Sequence, residues 1–172
     1  GGNTLLSSDG AGTISSGGLM TNTPAFHAEL SSDQDGVSNN AVTKVQIDSE
    51  IYDTDGCYDN STNYRFTPTV AGKYNVNLAI CGGTTGGTLS DVTNVFLYLY
   101  KNGSEVDRQQ FDTQANYLRS VAVSYSTAVD MNGTTDYIEM YCRVNSSGGN
   151  AIKFKTGTNG VCSFGAYRII GA

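Results

Sequence analysis

The chain has 172 residues and a net charge of −6, with 11 Tyr, 6 Phe, no Trp, 21 Gly and only 2 Pro. Its 10 Lys and Arg are scattered singly, so no basic stripe follows a phosphate backbone and nucleic acid is not an expected partner. The length suits one domain with its own core, and no stretch reaches the roughly 18 consecutive apolar residues of a membrane-spanning helix, so no membrane insertion is expected.

Residues 1–23, "GGNTLLSSDGAGTISSGGLMTNT", are rich in Gly, Ser and Thr and carry one charge. They hold too little apolar surface to pack independently and read as an arm or linker. The chain begins without Met or a charged and apolar leader, which is expected of a trimmed or processed end. From Pro24 to Ala172 apolar residues alternate with polar ones in short runs bounded by turn residues, the pattern of a β domain.

"AFHAEL" alternates Phe26, Ala28 and Leu30 against His27 and Glu29, and "TKVQIDSEIY" sets Val45, Ile47 and Ile51 at mostly alternate positions. "GKYNVNLAI" puts Tyr74, Val76, Leu78 and Ile80 on one face of a half-buried strand. "NVFLYLYKNGSEV" differs, because Val95, Leu97 and Leu99 fill one face while Phe96, Tyr98 and Tyr100 fill the other. It ends at Asn102-Gly103, a pair suited to the positive φ of a tight hairpin. "YLRSVAVSYSTAVDM", from Tyr117 to Met131, has the longest alternation, and "DYIEMYCRV" and "CSFGAYRII" supply two more strands.

Eight to ten short strands without a helical period predict an all-β, two-sheet jelly-roll sandwich. A sandwich needs only its inner faces apolar, so Phe96, Tyr98 and Tyr100 point to a subunit interface. Cover of those rings by loops or by the N-terminal arm is the alternative.

Cys57, Cys81, Cys142 and Cys162 contain no C-x-x-C pair, and one His offers little help to a zinc site. Free thiols are expected ahead of disulfides, since a domain of this size builds a core without staples. His27, the only histidine, reads as a wall or interface residue rather than a catalytic base, because no nucleophile motif accompanies it. Glu29, Asp48, Glu50, Glu105 and Glu139 are taken as surface carboxylates, and "GGTTGG" at Gly82 to Gly87 lacks the Lys of a phosphate loop. No catalytic residue is assigned. The sequons at Asn60, Asn102, Asn132 and Asn145 fall in turns, where Asn is wanted for backbone geometry.

Asp53, Asp55 and Asp59 cluster in "IYDTDGCYDNSTNYRFTP" with Gly56 among them. The spacing fails the EF-hand pattern, since Gly56 at the sixth position would make Ile51 the first. A solvated turn is the preferred reading and a loose calcium site, the one cofactor considered, the alternative. For contact with a surface glycan or protein the candidates are Asn116 and Tyr117 in "TQANYLR" and the ends of "NSSGGN", Asn145 and Asn150, which offer stacking and adaptable hydrogen bonds.

Five strings in order carry a resemblance: "PAFHAEL", "YDNSTNYRFTPTVAGKYNVNLAI", "LYKNGSEV", "DYIEMY" and "SFGAYRII". Together they resemble the complement C1q-type globular head within the C1q and tumour necrosis factor superfamily, with Tyr58, Asp59, Phe66, Thr67, Gly72 and Tyr74 as the most informative positions. The resemblance implies a ten-stranded jelly roll that assembles as a compact homotrimer. The sparse leader and the wording of residues 43–68 look more like the form of this domain in bacteriophage structural proteins. That form implies a non-enzymatic head on the virion surface, as a capsid decoration or fibre tip, joined to other virion proteins by the arm. A secreted C1q-like or lectin-like recognition module of a cell is the alternative, and a β-sandwich hydrolase is the least favoured.

Overall fold

A computed structural model describes residues 23–85, 91–113, 117–157 and 161–170. Residues 1–22 of the expected arm lie outside that set. Among the described residues there are thirteen strands and no α-helix. One sheet has seven strands, ordered β2 (Gln34–Val37), β12 (Ile152–Phe154), β7 (Gly72–Thr84), β13 (Ser163–Arg168), β1 (Ala25–Glu29) and β4 (Ser49–Asp53), with β10 (Ser120–Met131) also on β7. The second has six, ordered β5 (Tyr58–Asp59), β6 (Arg65–Phe66), β11 (Ile138–Ser146), β8 (Val92–Lys101) and β9 (Ser104–Asp112), with β3 (Thr43–Lys44) also on β11. Every pairing is antiparallel.

Period-2 alternation decides what each strand sends inward. Tyr74, Val76, Leu78 and Ile80 of β7 meet Val95, Leu97 and Leu99 of β8 and Ile138, Met140, Cys142 and Val144 of β11 in one buried core. Side chains of this size each contribute about 1.5–3 kcal/mol when fully buried. One end is closed by rings from both sheets, with Phe26 stacked on Tyr58 at 4.4 Å and on Phe66 at 4.6 Å and Phe164 edge-on at 5.0 Å. The hairpin between β8 and β9 turns at Asn102 (φ 52°) and Gly103 (φ 77°), the left-handed pair that "NG" was expected to supply.

The stretch read as one strand, Thr43 to Tyr52, divides between the sheets. Lys44 pairs with Tyr141 on β11, whereas Tyr52 pairs with His27 on β1. Val45 and Ile47 are buried where the chain crosses over, and Ile51 is 59% exposed. The crossing is pinned by Val45 N donating to Met140 O and by the Tyr58 hydroxyl donating to Ile47 O. All four cysteines are free and buried, and burial pushes the Cys162 thiol up to about 12. A thiol held that far from ionisation is a core residue, not a reactive group.

Candidate functional site

The Asp-rich loop uses its carboxylates on its own backbone. Asp59 Oδ1 accepts from the amides of Ser61 and Thr62 at 3.1 and 2.9 Å and from the Ser61 hydroxyl at 3.4 Å. Asp59 Oδ2 accepts from the amide and side-chain nitrogens of Asn63, at 3.1 and 2.7 Å. Asp53 accepts from Tyr58 N at 2.7 Å and from Asp55 N, and Asp55 from the Thr54 hydroxyl. Among the described residues no three His, Cys, Asp or Glu side chains converge as a metal site. Asp53 and Asp59 thus cap turns of their own loop through backbone amides, while Asp55 accepts a side-chain hydroxyl.

The Thr62 amide, followed by those of Ser61 and Asn63, holds the Asp59 carboxyl far below the usual range against the opposing effect of burial. A depressed folded value means that the stabilisation is present above the unfolded value near 4 and fades as pH falls through the folded one. Asp59→Asn puts an NH2 against a donor in either orientation, so we expect a loss of about 1–2 kcal/mol at pH 7. Urea unfolding at pH 7 and pH 3 checks this, and the gap between variant and parent should narrow at pH 3.

At the opposite end of the sandwich the residues expected to contact a ligand divide by role. Asn150 is structural, because its side chain donates to Asp91 Oδ2, which also accepts the Ser146 hydroxyl at 2.6 Å. Burial pushes the Asp91 carboxyl up, but the donors from Ser146 and Asn150 outweigh it and the net shift is downward. Asn145 faces outward from β11, with its carbonyl held by the Thr93 hydroxyl. Tyr117 is exposed beside Leu118, which bridges to Val92. Asn116 lies outside the described residues.

The aromatic row of β8 is covered within one chain. Phe96 is 8% and Tyr98 3% exposed, and Tyr100 is half-buried. Cross-strand neighbours supply the cover. Arg143 is opposite Phe96 on β11, with its guanidinium carbon 4.1 Å from the ring centroid, and Tyr141 lies 4.3 Å from Tyr100. Lys44 extends over Tyr141 and pairs with the buried Glu139 carboxylate at 2.5 Å. Phe96 and Tyr98 are thus buried within the described chain, with Arg143 and Tyr141 of β11 beside them and Lys44 of β3 over Tyr141. Glu139, expected at the surface, is the buried member of this set.

The outer face of the seven-stranded sheet is the reverse case. Its outward positions include Asn75, Asn77 and Ala79 on β7, Ala122, Ser124, Ser126 and Ala128 on β10, and Ser163 and Gly165 on β13, small side chains that leave this part of the sheet shallow, with the exposed Tyr167 beside Asn75 at one end. A depression of about 380 Å³ opens there, lined by Asn77, Ala79, Ser124, Ser126 and Ser163. His27 lies over Gly165, where an added Cβ would come within 3.1 Å of its Nδ1 and of Phe26 O. The His27 Nε2 to Glu29 Oε1 distance is 3.4 Å, and Tyr52 stands beside the imidazole at 6.2 Å. His27 therefore forms part of the wall of this face, between Glu29 and Tyr52.

No protein-family profile and no curated protein matches the chain. Solved structures do. The globular domain of zebrafish complement 1qA protein matches with a TM-score of 0.55 and 14% identity, over 86% of this chain and 98% of that one. Eiger TNF from S. frugiperda matches at 0.57 and 10%, over 86% and 93%. Murine APRIL matches at 0.58 and 11%, over 84% and 98%. With two antiparallel sheets and this strand order, the chain has the C1q/TNF-like jelly-roll fold.

Proposed function

We propose that the chain is a non-enzymatic recognition head that assembles as a homotrimer and is displayed on a bacteriophage virion, as a capsid decoration or fibre tip, through residues 1–23. The observation that carries the assembly is a pair of complementary surfaces. One is the small-residue face with its depression. The other is the adjoining edge of the sandwich, where β9 and β10 lie side by side and Val106, Phe111, Tyr117 and Leu118 are exposed. Large apolar groups on one edge and a shallow face of Ala, Ser and Gly suit head-to-tail contact, which closes into a ring when the rotation permits.

The phage setting is supported by the resemblance of residues 1–23 and 43–68 to such domains. The four buried free thiols favour it over a secreted, disulfide-matured module, since virions assemble in a reducing cytosol. Light scattering after gel filtration tests the reading. The expected mass is three times the 18.2 kDa of one chain. A single-chain mass at micromolar concentration overturns it.

A further inference from the structure

We infer that the outer face of the six-stranded sheet binds the carboxylate of an acidic saccharide through Arg143. This rests on the recognition-head reading and names the chemistry of its ligand. The outward rows of this face mix cations with the carboxylates of Asp59, Glu105, Asp112 and Glu139. Lys44, Arg65, Arg108 and Arg143, four of the 10 Lys and Arg, project from it. Two are matched locally, Lys44 by Glu139 and Arg108 by Glu105. Arg65 and Arg143 lie instead over the rings of Tyr137 and Phe96, and neither has a carboxylate within ion-pair distance among the described residues.

Arg143 is the better placed of the two. Stacking on Phe96 fixes its plane, and its Nε is buried without a hydrogen-bond partner. The side chain therefore sits in one orientation before any ligand arrives, which lowers the entropy lost on binding. Around it are amide side chains. Gln110 is directly across β8 from it, and Asn145 and Asn94 form the next cross-strand row, which ends at Asp112 on β9. Asn94 also has a buried side-chain oxygen without a partner. A fixed guanidinium takes a carboxylate through two parallel hydrogen bonds. Amides two residues away along the strands can donate to and accept from hydroxyls on the same ring. Together these groups fit a sugar that carries one carboxylate and several hydroxyls, such as a uronic or sialic acid.

Titration calorimetry on the assembled protein tests this, with oligogalacturonate and oligosialate as probes and the methyl-esterified oligogalacturonate as control. At least one acidic probe should bind, more weakly as salt rises, and the ester should not. Arg143→Gln should weaken binding by about tenfold or more. Arg143→Lys, which keeps the charge and the cover over Phe96, should recover only part of it, and Asn145→Ala should cost several-fold. The inference is overturned if a correctly sized trimer binds neither probe, if Arg143→Gln and Arg143→Lys both bind like the parent, or if poly-glutamate binds as tightly. It is also overturned if Arg143→Gln changes the assembly mass, because the guanidinium would then face a second copy of the chain. Failure of the underlying reading shows separately, as a parent protein that is monomeric.

Discussion

Ala79→Arg is expected to leave the jelly roll folded and to reduce its mass to that of one chain. Ala79 sits in the depression on the outer face of β7, paired with Ser163 on one side and Ser124 on the other. It is half-exposed in the single chain, so an arginine there can extend into water. Its effect on folding should stay within about 0.5 kcal/mol, as for other surface changes. In a trimer that covers this face, the same guanidinium is buried without a partner. An uncompensated buried charge costs about 3–5 kcal/mol per site, and a ring contains three such sites. Thr62→Arg, an exposed position in the turn that Asp59 caps, away from both proposed contact surfaces, is the control and should leave the mass unchanged. A trimer that tolerates Ala79→Arg would show that this face is not where subunits meet.

The sheet strands were legible because alternation is local. Tyr74, Val76, Leu78 and Ile80 declare an inward face within nine residues of sequence, and the Asn102-Gly103 hairpin needs only its own two residues. What covers Phe96 and Tyr98 is not local. Their β8 strand shows aromatic side chains on both faces, but Arg143 and Tyr141 come from β11 and Lys44 from β3. A sequence read strand by strand therefore assigns that cover to a neighbouring subunit.

The same limit explains the site. Asp53, Asp55 and Asp59 read as a solvated turn with a cation as the alternative, because whether a carboxylate turns outward or caps its own loop depends on backbone directions that composition does not encode. Thr43 to Tyr52 read as one strand because Val45, Ile47 and Ile51 alternate, although the chain passes from one sheet to the other between them. Arg143 went unnoticed as a lone cation, yet a signal was present. It alternates with Tyr141 and Asn145 on the outward side of β11, an unusual series for a strand face left to water.

Phe26→Ala is expected to remove about 4 kcal/mol from the stability of the fold, close to the whole margin of a small domain. Phe26 is fully buried on β1 of the seven-stranded sheet, and two rings stacked on it, Tyr58 and Phe66, belong to the six-stranded sheet. Truncation removes the side chain's own transfer energy and leaves a cavity that rings from two sheets cannot close without moving both. It also removes aromatic pairs worth about 0.5–1.5 kcal/mol each beyond burial. Phe26→Leu, which fills much of the volume, should lose less than half as much. Urea titrations should show a lower midpoint with an unchanged slope. A loss below about 1 kcal/mol would mean that the two sheets are not held at this end by the ring stack. Because His27, the next residue, points to the opposite side of β1, this variant weakens the core without touching the assembly face. Its mass at low temperature should remain that of the parent, which separates what holds the sandwich together from what joins one sandwich to the next.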